Sequence, residues 1–476
     1  MENLFGWKSG SLVSFLILLT AYLYKRHADE VLQNRMDQIL SGLLRAEKKV
    51  ALVENRVAFG FGGCEDVFAD ALHIVNQLNL TAPQEPQHHM AVQNEGQLGE
   101  LFAFFFQHGA AAERYVENNT LFDELVAFAE TSPGYRNEVG GNAPVMARRM
   151  ALEGKDVMLA ARLTPDIAAT LPKNVRVIGK PVTKSDIHLI MEYDKGEEWG
   201  QYQAPRANRL ILHSDEVNPY LSGLEEFEQE LHRFNPALVI LGGLQMMDNF
   251  PYQDNERLSR LRKLQSVLKD LPSSSKVHFE MASFADTKLL REILDNVLLY
   301  SDSVGMNEQE LPNLVTVLKD KDVSLVADSQ PRVATVLDDM RMVYSYFKNV
   351  TLSNGQRRLT RLHVHTLAFQ AILTTKLSSW KNTMSASAKA ALTAHRHVCG
   401  SHHIDLMKTK VLLDDSFSAS KDKTSRKIHL VDNRPVTCWE EDDFEICVAP
   451  GLVCTHIHQT AGGGDNISSA GLVLQI

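Results

Sequence analysis

Ala237-Leu238-Val239-Ile240-Leu241-Gly242-Gly243-Leu244-Gln245 is an unbroken apolar run that stops on two glycines. A strand with one wet face alternates apolar and polar residues. A continuous run fits a central parallel strand covered on both faces. Outward from it, helical spacing predicts a helix over 256–270, followed by a strand, Lys276-Val277-His278-Phe279-Glu280. Ser303 to Asn307 and Arg361 to Leu367 read as further buried strands, and Glu445 to Cys454 as the last. Upstream, Val57 to Gly63 reads as a strand ending in a turn. Strands alternating with helices predict an α/β fold, a doubly wound sheet with helices on both faces.

The chain has 476 residues, enough to bury a large core and form more than one lobe. With 44% hydrophobic and 23% charged residues it falls outside the disordered and collagen-like classes. The formal net charge of −10 does not attract nucleic acid, so no nucleic-acid partner is expected. An anionic substrate needs a local positive site or a metal.

Thr460-Ala461-Gly462-Gly463-Gly464-Asp465-Asn466 is the strongest chemical signal. Glycines let backbone N–H groups turn outward, and a helix starting at Asp465 adds unpaired N–H groups and a positive dipole end. Together these make a cradle for a phosphoryl group. An aspartate at its mouth is placed to take a proton from an attacking hydroxyl. A plain helix cap has the same local sequence.

Two acids close predicted strands of the main sheet, Glu280 and Glu310, with His278 and Asn307 beside them. Acids at a helix start complement the dipole. Such a pair also suits Mg²⁺ held through waters, because that ion keeps several waters and takes few carboxylates. Asp66, just past the Val57–Gly63 strand, is a candidate for sugar hydroxyls or a helix N-cap. Thr81 to Gly99 is polar and reads as a linker, and Leu101 to Glu113 as helical. Gly140-Gly141 precede a predicted helix and fit close backbone approach to a ligand. Ile187 to Tyr193 and Arg206 to Leu212 read as strands joined through a turn at Gly196 to Gly200, forming a small β-rich lid. Read locally, Arg209 is an exposed strand charge. Ser416 to Lys427 reads as an exposed loop.

At the N-terminus, Lys8 precedes an apolar run, Ser11 to Tyr24, which Lys25-Arg26-His27 end. Its length matches a signal-peptide core and is short for a spanning helix of about 20 residues. Residues 1–27 are therefore expected to be a signal peptide or signal anchor, followed by a helix from Asp29 to Leu52. The flanking charges favour a cytosolic body. Sequons at Asn79, Asn118 and Asn349 point to the lumen. A fourth, at Asn466, would put a glycan in the phosphate cradle. Five cysteines match no zinc spacing; one local disulfide near the C-terminus is expected, and the odd count leaves a free thiol.

From Arg56 to Leu472 these blocks stand in the order found in one family. The chain resembles the eukaryotic ADP-dependent glucokinases, a branch of the ribokinase-like superfamily. The resemblance rests on Gly109 to Arg114, Gly140-Gly141-Asn142-Ala143, Glu192-Tyr193 with Gly196 to Gln201, and Ala207-Asn208-Arg209. It continues through His278-Phe279-Glu280, Asn307 to Leu311, His363 to Leu367 and Gly462 to Asp465. It implies a ribokinase-like kinase domain over 50–476, with lid segments near 84–135 and 180–215. It further implies that D-glucose and ADP give glucose 6-phosphate and AMP with Mg²⁺, in a monomer. On this resemblance Asp465 is the general base and joins Glu280 and Glu310 around the metal. Gly462, Gly463 and Gly464 form the oxyanion loop, and Arg209 contacts phosphate. Asp66, Glu113, Gly140, Gly141 and Gln245 bind the sugar, and His365 lies near the nucleotide. An endoplasmic-reticulum lumenal or membrane-anchored location is expected, with secretion if the signal is cleaved.

The chain departs from the family at named positions. Gly62 stands where an asparagine precedes the sugar aspartate, and Gln459 where an arginine precedes the loop. Gly463 replaces a larger apolar residue, and Asn466 an alanine. Two alternatives follow: a sibling kinase using ADP or ATP on fructose 6-phosphate or another sugar, or a non-catalytic membrane-anchored sugar or nucleotide sensor.

Overall fold

A computed structural model describes residues 3–50 and 52–476, with side chains described from Val13 onward. Lys8, Ser11 and Leu12 therefore lie outside the described side chains. Leu238–Leu241 is central, as its apolar run predicts, and all four residues are buried. It sits in a ten-stranded sheet. On one side come Lys276–Glu280, Ser303–Asn307 and Arg361–His365, and on the other Arg56–Gly60, Asp156–Ala160 and Val175–Ile178, all parallel. Phe369–Thr375, Phe444–Pro450 and Thr437–Glu441 extend one edge antiparallel. Parallel strands present their carboxyl ends on one rim. Glu280, Asn307 and His365 therefore come to the same edge as Gly60 and Leu241.

A second sheet has six strands, in the order Ala91–Val92, Ala112–Val116, Asn208–His213, Ile187–Tyr193, Cys64–Asp70 and Arg136–Gly140. It reaches beyond the expected lid segments, because Cys64–Asp70 and Arg136–Gly140 pair antiparallel and complete it. Nor is it merely β-rich. Phe102, Phe105 and Phe106 of helix Glu95–His108 bury one face together with Val67, Leu189, Met191, Leu210 and Leu212. Period-two alternation then turns Phe68, Ile190 and Ile211 to the other face, where they pack against Ala461. Asp66, His188, Glu192 and Arg209 share that parity, so one alternation aims them all at the glycine loop.

Other boundaries move for local reasons. The helix expected over Leu101 to Glu113 stops at His108, where Gly109 takes a left-handed cap at φ 56°, and Glu113 lies on a strand. The supposed linker already holds strand Ala91–Val92 and the start of that helix, with Asn94 as N-cap. Asp66 is a strand residue rather than an N-cap; Asp70 caps the following helix. Ser416 to Lys427 closes a short hairpin, Ser416–Ser418 with Lys427–His429. The last strand is two, Phe444–Pro450 and Leu452–Cys454. Two disulfides form instead of one, Cys399–Cys454 and Cys438–Cys447, and Cys64 stays free and buried.

The N-terminal helix is continuous over Asn3–Glu47, so the apolar run and the expected Asp29–Leu52 helix are one element that ends five residues early. Its second half is docked: Ile39 and Leu43 are fully buried against Ala388, Ala391 and Leu392 of helix Thr383–Val398. Its apolar first half is exposed, from Val13 to Tyr24. No described helix is long and apolar enough to cross a membrane.

Candidate active site

The terminal helix runs Gly463–Val473, two residues earlier than expected, with Gly462 as its N-cap at φ 67°. Asp465 thus sits in the first turn rather than at the start. A side chain at Gly464 would lie 2.9 Å from the His365 ring, so the bend packs tightly on the sheet rim. Asp465 Oδ1 accepts from Asn142 Nδ2 at 2.9 Å, and Asn142 Oδ1 accepts from Gln245 Nε2 at 2.7 Å. Asn142 thus holds the carboxylate and is itself oriented by Gln245. Gln245 Oε1 is buried and has no partner among the described residues, leaving an acceptor for a ligand hydroxyl. Burial raises the Asp465 pKa to about 7; the Glu280 charge adds to the shift and the Asn142 bond opposes it. Asn142 was not among the expected site residues; its signal was the Gly-Gly-Asn block at a helix start.

The lid meets the loop directly. Glu192, opposite Arg209 in the strand register, accepts from the Thr460 N–H at 3.3 Å and hydroxyl at 3.1 Å. Arg136 donates to its other oxygen at 3.0 Å. Arg209 is half-buried, donates to Asn208 Oδ1 at 3.3 Å and keeps a buried Nε without a partner. It is therefore not the fully exposed strand charge that local sequence implies. A buried guanidinium N–H aimed beside a glycine loop is suited to an anion.

Asp66 lies flat on Gly140, where any β-carbon would overlap its carboxylate. A side chain at Gly141, φ 85°, would strike the Gly62 carbonyl, and one at Gly62, φ 73°, would come within 2.7 Å of Gly243 Cα. Gly62 thus has its own steric reason: here the junction of the two sheets is backbone against backbone. Burial raises the Asp66 pKa to about 6, partly offset by His188. His188 Nδ1 lies 3.4 Å from Glu113, and its Nε2 lies 3.1 Å from buried Asp215. Burial opposes protonation of His188, but Asp215, Glu113 and Asp66 prevail and its pKa rises to about 10. So Asp66 and Glu113 flank one imidazolium. Sequence reading missed His188 and Asp215, although a histidine inside an apolar strand was a visible signal.

At the sheet rim Glu280 accepts from His278 at 2.9 Å and from Ser468 at 2.7 Å. Burial would raise its pKa, but His278 and His365 prevail and hold it at about 2, so it stays ionised. Glu310 accepts from the Asn307 N–H at 2.8 Å and side chain at 2.7 Å, while Asn307 Oδ1 accepts two N–H groups in return. Burial lifts the Glu310 pKa to about 8. Among the described residues, no cluster of three close ligand atoms includes Glu280, Glu310 or Asp465. Their oxygens already carry hydrogen bonds, so the donor set fits a hydrated cation held through water. His365 is buried under Gly464, 3.7 Å from Glu280.

Residues 55–474 match the family described as the ADP-specific phosphofructokinase/glucokinase conserved region. The chain belongs to this family. It is 32% identical to the ADP-dependent glucokinase of Bos taurus, over 88% of this chain and 84% of that protein. It is 28% identical to a Caenorhabditis elegans protein named "Probable ADP-dependent glucokinase", over 99% and 96% of the two chains. Among solved structures, an ADP-dependent kinase in complex with fructose-6-phosphate and ADPβS superposes with a TM-score of 0.63 at 17% identity, covering 92% of this chain and 96% of that one. That likeness shows the family's two-sheet fold.

Proposed function

We propose that the protein transfers the β-phosphoryl group of ADP to the 6-hydroxyl of D-glucose, giving AMP and glucose 6-phosphate. The observation that carries this reading is Asp465 in the first turn of a glycine-started helix, fixed by Asn142 beneath a lid that bears Arg209. Asp465 accepts the hydroxyl proton as the sugar oxygen attacks the β-phosphorus. The bond from that phosphorus to the bridging oxygen breaks, and AMP leaves. N–H groups of Gly462 to Gly464 stabilise charge on the phosphoryl oxygens, and Arg209 adds a guanidinium from the lid. Asp66, Glu113, Gln245 and the Gly140-Gly141 turn hold the sugar. Glu192 bonded to Thr460 keeps the lid down, which excludes water that would otherwise hydrolyse ADP. Mg²⁺, when bound, neutralises phosphate charge; Glu280 and Glu310 would hold its waters.

The decisive assay offers glucose or fructose 6-phosphate with ADP or ATP in turn. AMP formed from ADP and glucose is the expected result. Turnover with ATP alone, or with the sugar phosphate alone, would replace this reading by the sibling kinase. Glucose-induced stabilisation without turnover would replace it by the sensor.

We further infer a lumenal body on a membrane-associated N-terminus. The exposed apolar stretch of the N-terminal helix supports it, as do two disulfides and exposed sequons at Asn79, Asn118 and Asn349. Expected results are a glycosidase-sensitive shift in mass and resistance to alkaline extraction. Unmodified protein exposed to cytosolic protease would overturn the lumenal placement.

A further inference from the structure

The N-terminal helix that carries the apolar stretch ends at Glu47, far in sequence from the glycine loop. In space two chains of contacts join them. Glu47 receives both arms of Arg396, Nη1 to Oε1 at 2.8 Å and Nη2 to Oε2 at 3.2 Å. Arg396 is followed by His397, whose Nε2 bonds the Ala461 carbonyl at 2.7 Å. Ala461 is the residue before the glycines, and the His397 ring lies against Gly462 and Gly463.

The second chain leaves from the same carboxylate. Lys389 Nζ lies 3.5 Å from Glu47 Oε1 and 3.0 Å from Glu153 Oε2. Arg149 Nη1 lies 3.6 Å from Glu153 Oε1, and its Nε donates to Asn466 Oδ1 at 3.2 Å. Asn466 Nδ2 in turn donates to the Gly462 carbonyl at 2.9 Å. Asn466 is next to Asp465. All five charged groups are mostly buried, where ion pairs hold one geometry more firmly than on a surface. Helix Thr383–Val398 lies between the two ends, its buried Ser385 to Ala391 face letting neighbours approach closely.

We propose that Glu47 is a positioning residue for the glycine loop, so that the N-terminal helix is part of the catalytic apparatus as well as a leader. The two chains grip the loop on both sides of the phosphoryl cradle, at Ala461 and at Asn466. Asn466, which departs from the family pattern, is what connects Arg149 to the loop. The proposal rests on the reading of Asp465 as the base, and its test separates the two.

The test compares full-length wild type, Glu47→Gln and the reversed pair Glu47→Arg with Arg396→Glu, by hydrogen exchange and by glucose phosphorylation from ADP. Glu47→Gln is expected to speed exchange of backbone amides over 455–470, to leave the lid strands unchanged, and to lower kcat about tenfold with KM for glucose unchanged. The reversed pair is expected to restore protection on the Ala461 side but not at Asn466, because Glu47→Arg sets a like charge against Lys389. Wild-type exchange at the loop in Glu47→Gln would overturn the proposal, as would uniform acceleration across the whole chain. Localised acceleration in a protein whose wild type turns over no glucose would uphold the tether and sink the reading of Asp465 instead.

Discussion

Asp465→Asn is expected to lower kcat for glucose phosphorylation by about 10²–10⁴, the range for losing a positioned acid–base group. Asparagine is nearly the same size and keeps an oxygen for Asn142, so the loop geometry survives and only proton acceptance is lost. Initial rates of AMP formation at saturating ADP and glucose measure it. A variant above a tenth of the wild-type rate would mean that the proton goes elsewhere. The pH profile gives a second reading. Asp465 works as a base only when ionised, and burial lifts its pKa from 3.8 to about 7. The rate should therefore fall about tenfold per pH unit below that value and level off above it. Asp465→Asn should flatten this limb. The sign for stability is opposite to that of a salt-bridged acid. A raised folded pKa means the folded chain holds the proton more tightly, so this group's cost to folding grows as pH rises from 3.8 through about 7. A site kept ionisable at that cost is what a base near neutral pH requires.

Arg209→Ala carries the next largest expected loss, about 10²–10³ in kcat/KM for ADP, comparable to removing one donor from an oxyanion site. Among the described residues, Arg209 Nε is buried and unpartnered and no carboxylate is bonded to the guanidinium. The group is therefore uncommitted until an anion arrives. Gln459, just before the loop, is uncharged and adds no positive charge beside it. Arg209→Lys should recover little, because a single ammonium cannot reproduce the planar fork. Steady-state kinetics at varied ADP measure both variants. Unchanged kcat/KM in Arg209→Ala would remove the lid arginine from the mechanism. A loss confined to the KM for glucose would do the same.

The legible part of the fold was the part set by local chemistry. Ala237 to Leu241 fits a buried parallel strand, because no polar residue interrupts it and two glycines end it. Lys276 to Glu280 and helix 256–270 were equally plain from periodicity. The lid was harder. Its sheet pairs strands far apart in the chain, such as Asp66 with His188, and nothing in Cys64 to Asp70 announces that it pairs with Arg136 to Gly140. Gly109 looked like part of a helix because Gly-Ala-Ala-Ala is locally permissive; its left-handed cap is visible only in the backbone.

By itself the sequence determined the sheet class, the glycine bend with its aspartate, and the two acids that end a strand at Glu280 and start a helix at Glu310, since each depends on residue type and near neighbours. Only the tertiary structure decided what faces what. It set His188 between Asp66 and Glu113, joined Gln245 through Asn142 to Asp465, and ran two ionic chains from Glu47 to the loop. The contacts that bring the elements together join residues tens to hundreds of positions apart. Their energies come from burial and from distances of a few ångströms, quantities that exist only once the chain has closed on itself.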